Sequence, residues 1–162
     1  MGIKYEKASD IQDRIIELSN MLFPHVKLDS VVCLRSHGSG SRGTIARCHA
    51  LGKAMQIALD RKGFYLIEVI SERFDRMSEI DQTKTLIHEL MHIPKSFGGG
   101  FIHHNIVHAR NVERVYEHYI NLKRKDDNIN IISEDKSVYI EPKVRRGFEI
   151  EEPKTKRRYW FS

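Results

Sequence analysis

The stretch of this 162-residue chain best equipped for chemistry is His88-Glu89-Leu90-Met91-His92. On a helix, positions i and i+4 share a face, so both imidazoles can reach one metal ion while Glu89 sits one step round. Zinc suits such nitrogen ligands and lowers the pKa of its water to about 7. A carboxylate beside it that does not ligate can take that water's proton and deliver it to a leaving amine. The pattern points to hydrolysis of a peptide bond, with His88 and His92 as metal ligands and Glu89 as general base, then acid. Chance would place such a pentad in about one chain in twenty-five with this many His and Glu, so its surroundings must carry part of the argument.

A catalytic zinc commonly takes three protein ligands and keeps one position open. Metzincins place the third histidine six residues past the second, and here that position is Gly98. His103, His104, His108, Glu113 and Glu117 lie further on. His104 and His108 fall on the helical face that carries Val112, Val115 and Tyr119, a face expected to pack against the motif helix. His104, at the near end, is therefore preferred, with His103 second and His108 third. His108 reads as a core-edge residue or a support for the ligands, and His103 as a contact for solvent or substrate.

These residues need elements to position them. Ser9 and Asp10 can cap a first helix over 10–22, with Ile11, Ile15, Leu18 and Leu22 at helical spacing. Val31–Leu34 suits a strand and Thr44–Cys48 a returning one, with the glycine- and serine-rich run 36–43 as the loop between. A short helix follows over 51–58. Phe64–Ile70 is apolar on both faces apart from Glu68, as a well-covered strand would be. Ser78 and Asp81 form a capping box ahead of the motif helix, whose buried face is read as Ile80, Ile87, Leu90 and Met91. Pro94 ends it, and Gly98-Gly99-Gly100 makes a flexible or tightly turned connection. A long helix is expected from His103 or His104 to Lys123–Lys125, followed by short strands at Ile129–Ile132 and Val138–Ile140.

Hydrophobic residues make up 40% and charged residues 30%, a globular balance at single-domain length. No apolar stretch approaches membrane-spanning length and the first ten residues are polar, so a cytoplasmic protein is expected. The net charge of +5 permits nucleic acid without demanding it. Residues 123–162 hold 11 Lys and Arg against 8 Asp and Glu, with Tyr159-Trp160-Phe161 near the end. Charge and stacking there could touch nucleic acid; a solvated end is the plainer reading.

Other features have simpler explanations than catalysis. Cys33 and Cys48 stand symmetrically about Gly40-Ser41, so a hairpin would bring them together as a disulfide, or as a second metal site with His37 and His49. Two buried free thiols are the simpler reading. The 36–43 loop matches no phosphate-binding or nucleophile motif and reads as structural or as cleft wall. Glu68 could read a substrate paired along its strand, but an ion pair with a nearby Arg or Lys is preferred. Tyr116 and Tyr119 could serve an oxyanion, but a stripe of aromatics at helical spacing is ordinarily core.

The stretch Tyr65–Asp75, the run His88–Gly100 and the pair His103-His104 together resemble a family of metallopeptidases of archaea and phages. Arg35–Ser39 and Ala46-Arg47 add to the likeness, which covers roughly 30–120 and not the C-terminal end. The resemblance implies a zincin-like fold, a peptidase activity and a third ligand twelve residues past His92, which is His104. The expectation is an α+β, zincin-like domain over 1–125, its cleft edged by the Phe64–Ile70 strand, and a basic extension over 126–162. Zn2+ would sit on His88, His92 and His104. Two rivals stand: a nucleic-acid-associated module with a structural or vestigial zinc, and a DNA-recruited protease of the SprT-like kind.

Overall fold

A computed structural model describes the backbone of residues 2–135 and the side chains through Asp127. Among the described residues, four strands and five α-helices make a small α+β architecture with one mixed sheet. The elements run β1 (Lys4–Lys7), α1 (Ser9–Leu22), a 3-10 turn (Leu28–Ser30), β2 (Val31–His37) and β3 (Ala46–Ala50). Then come α2 (Lys53–Ala58), β4 (Tyr65–Ile70), α3 (Ser71–Phe74), α4 (Glu79–Met91) and α5 (Ala109–Asp135).

The sheet order is β1-β2-β4-β3. β2 and β4 are parallel, while β1 and β3 flank them antiparallel. The expected hairpin between β2 and β3 is therefore absent, because β4 inserts between them. Cys33 and Cys48 both stand opposite Ile67, one on each side, so two strand spacings of about 4.8 Å separate their backbones. Both thiols are free. His37 and His49 do not join them: His37 contacts Glu6 and His49 contacts Glu68.

One face of the sheet builds the core. Cys33, Tyr65, Ile67, Val69 and Ala46 project from it into a cluster with α1, α4 and α5. Helix α1 contributes the stripe Ile11, Ile15, Leu18 and Leu22. Its start differs from expectation: Ala8 occupies the cap position without a side-chain bond, and Asp10 instead grips Arg35 at 3.0 Å. Helix α4 starts as expected, the Ser78 hydroxyl accepting from the Asp81 N–H. Its buried residues begin at Leu86, so Ile80, in the first turn, is 52% exposed rather than buried. Helix α5 buries Val112, Val115 and Tyr119.

Helix α5 departs from expectation at both ends. It begins at Ala109, leaving His103 and His104 in the preceding turn, and it runs through the expected break to Asp135. Ile129–Ile132 is helical, not a strand; Val138–Ile140 lies outside the described residues. Neither Tyr116 nor Tyr119 lines the two cavities at the histidines. The Tyr119 hydroxyl donates to Glu17 and the Tyr116 ring carries Lys84 above it.

Candidate active site

His88 and Glu89 sit on the last turn of α4 and His92 is its C-cap, where the helix is pinned between the sheet and α5. His88 and His92 turn toward each other, Nε2 to Nε2 at 3.2 Å. The His92 Nδ1–H donates to the Ile102 carbonyl at 2.7 Å, which fixes the tautomer and leaves the Nε2 lone pair free. Two nitrogens at zinc–imidazole distance on one tetrahedral ion would stand about 3.3 Å apart, close to what the two rings already adopt. Burial, reinforced by His92 and His104, holds His88 down to about 4, and burial lowers His92 too. Both rings are thus neutral at pH 7, the form that ligates.

His104 completes the cluster from the turn before α5. One ring nitrogen from each of His88, His92 and His104 lies within 4.8 Å of the others. Its ring centroid is 4.7 Å from that of His92 and 5.5 Å from that of His88. The other histidines considered are not in the cluster. His103 is exposed on the wall of the same cavity. His108 is exposed at the start of α5, not at the core edge, and contributes its carbonyl to the first helical turn.

What brings His104 in is a clamp that the sequence did not disclose. The Tyr65 hydroxyl, on a side chain buried at the start of β4, donates to the Gly100 carbonyl at 2.9 Å and accepts from the Gly99 N–H at 3.0 Å. Gln56 of α2 donates to the Gly98 carbonyl at 2.9 Å and to the Leu51 carbonyl at 2.7 Å. Gly99 takes φ +88°, and a Cβ there would lie 2.3 Å from the Leu51 carbonyl oxygen. The glycine run is therefore a tight turn. It delivers Ile102, whose N–H and C=O bond the backbone and ring of His92, and two residues later His104.

Glu89 is only 7% exposed, and burial raises its carboxyl to about 7 despite a bond from the Cys48 backbone N–H. That contact ties the acid to β3, the edge strand. Ile45 and Leu51 bond β4 through their backbone, so by antiparallel alternation Ala46, Cys48 and Ala50 turn theirs to the open side. β3 therefore edges the cleft, not the Phe64–Ile70 strand, which is enclosed by β2 and β3. Glu68 points to the other face of the sheet. It is 1% exposed, 2.7 Å from His49 and 3.4 Å from Arg47, the ion-pair role preferred from the sequence. Burial pushes its carboxyl up, but Ser36, His49 and Arg47 outweigh that and leave it lowered. Gly43 and Thr44, at the end of the serine-glycine loop, form part of the cleft wall.

Three imidazoles around one point beside a buried carboxylate are a donor set of the kind metal-dependent hydrolases use. The chain belongs to the putative phage metallopeptidase family, whose model matches residues 3–130. Membership implies a metal ion and a peptide or protein substrate. No curated protein and no solved structure matches the chain. Among the described residues, no helix is long and apolar enough to cross a membrane.

Proposed function

We propose that the protein is a zinc-dependent metallopeptidase that acts in the cytoplasm, with His88, His92 and His104 as the metal ligands and Glu89 as the catalytic acid–base. The observation that carries this is the convergence of three imidazole nitrogens within 4.8 Å beside a buried carboxylate. Three imidazole ligands suit zinc among the common divalent ions. Zinc held there supplies a Lewis acid for the scissile carbonyl and lowers the pKa of the attacking water.

The rest of the chemistry belongs to the chain. Glu89 accepts the proton of the water and returns it to the leaving amine. Its raised pKa fits both duties, since the group must gain and lose a proton near neutrality. A cation at the histidines would pull that pKa down, favouring the ionised base before substrate arrives. The outward backbone groups of Ala46 and the outward Cys48 carbonyl offer an extended peptide an edge to pair with, which would bring its carbonyl to the site.

Glu89→Gln separates the roles. It should keep the metal and lose hydrolysis of a peptide substrate by about a hundredfold or more. Hydrolysis at the wild-type rate by a fully metal-loaded variant would refute the assignment. The unit we assign to catalysis is residues 1–125, with 126–162 as a C-terminal extension whose basic residues all lie from Lys136 on, although α5 runs across that boundary. Residues 136–162 hold eight Lys and Arg against four Glu, and that charge is the observation behind a second reading, a peptidase brought to nucleic acid.

A further inference from the structure

Two cavities open from the histidine cluster in different directions. The first, about 470 Å³, passes Cys48, Phe101 and Ile102. The second, about 600 Å³, passes Asp81, Lys84 and Glu113. His88, Glu89 and His104 line both, so the cluster sits where they join. Thr44 and Ala46 also line both, so the edge strand runs along the junction.

From this we infer, granting the peptidase reading, that the substrate is an internal segment of a polypeptide, held on both sides of the scissile bond. We further infer that it presents a bulky apolar residue to the Phe101 side and a basic residue to the Lys84–Glu113 side.

A chain lying on the β3 edge with its reacting carbonyl at the cluster must extend into both cavities. Each has the size of a side-chain or small-ligand pocket. Beyond the histidines and Glu89, the first cavity carries one aromatic side chain, Phe101. Phe101 is 42% exposed although its ring meets buried Tyr65 at a centroid distance of 6.3 Å, so aromatic surface is left open at the cavity. The small side chains of Ala46 and Cys48 opposite leave room for a partner. An aliphatic or aromatic substrate side chain would cover that face and remove apolar surface from water.

The second cavity sets three charged side chains, Asp81, Lys84 and Glu113, beside apolar Met77 and Val112. Lys84 Nζ lies 2.7 Å from a Glu113 carboxylate oxygen, so this pair spans α4 and α5 and largely cancels. Asp81 remains, its carboxylate held by the Ser78 hydroxyl. Two carboxylates against one ammonium leave a negative surplus, which favours Lys or Arg in the substrate.

The test is cleavage of a degenerate decapeptide library, acetylated and amidated so that neither terminus is free, by zinc-loaded protein, with products sequenced by mass spectrometry. Internal cuts are expected. One side of the cut should show at least a tenfold preference for Phe, Leu or Met over Ala or Ser. The opposite side should favour Lys and Arg over Asp and Glu by about threefold to fivefold.

Phe101→Ala should reduce the first preference below about threefold without changing zinc content. Glu113→Lys should invert the second and leave the first alone. Binding of uncleaved library peptides to Glu89→Gln, read by anisotropy, should follow the same order.

Cuts only in libraries with a free terminus would overturn the internal-segment inference while leaving the peptidase reading in place. Preferences that ignore both substitutions would overturn the assignment of the two sides. Zinc-loaded protein that cleaves neither blocked nor free-ended peptides would remove the peptidase reading, and this inference with it.

Discussion

Replacing Tyr65 by Phe removes one oxygen atom from the interior and should weaken metal binding at a site the residue never touches. The hydroxyl holds both the Gly99 N–H and the Gly100 carbonyl, while the ring packs on Phe97 at a centroid distance of 4.8 Å. Phe keeps the packing and leaves two backbone groups without that partner. One such loss costs about 1–3 kcal/mol when the group is buried. Gly100 is exposed and water can replace part of its bond, so the expected loss of folding stability is about 2 kcal/mol. The turn also sets the path to Ile102, which orients the His92 ring, and to His104. Loss of a group that orients metal ligands commonly costs about ten- to a hundredfold in affinity, and acting through a turn should place Tyr65 near the lower end. Urea denaturation of metal-free protein gives the first quantity, and competition for zinc against a chromophoric chelator gives the second. A variant destabilised by about 2 kcal/mol that holds zinc as tightly as wild type would refute the reasoning, since the clamp would then serve the fold alone.

Glu89 makes a pH prediction for the metal-free protein. Its folded pKa, about 7, is raised above the ordinary 4.5, so the favourable contribution is present below 4.5 and is lost as pH rises through 7. Glu89→Gln cannot ionise, so it should match wild type at pH 4 and exceed it at pH 8 by about 3 kcal/mol; equal urea midpoints at pH 8 would contradict this. If the basic segment 136–162 binds nucleic acid, binding by the full chain should fall steeply with salt, and removal of that segment should flatten the slope. Binding that ignores both salt and the deletion would rule the extension out as the contact.

The motif helix was legible because its signals are local. The Ser78–Asp81 cap, the apolar spacing of Ile87, Leu90 and Met91, and the i, i+4 histidines all lie within one element. His104 was singled out on a helical-face argument, yet it lies outside the helix, and the turn clamped by Tyr65 and Gln56 is what places it. Those partners are 35 and 42 residues away in sequence, which no local pattern reports. Strand pairing failed for the same reason. The symmetric placement of Cys33 and Cys48 suggested a hairpin, but the parallel partner of β2 arrives only at Tyr65, after β3 and α2. β1 escaped notice because an edge strand exposed along its whole length, Lys4–Lys7, has no apolar alternation. At Ile129–Ile132, β-branched residues favoured a strand, but a helix already nucleated and packed from Val112 to Tyr119 extends through them.

The measurement that bears most directly on the central claim is the metal content of protein purified without added metal, wild type beside His104→Ala. One zinc per chain in the wild type, sharply reduced in the variant, is the expected result. Wild type that carries no zinc and takes none up when offered would contradict the account.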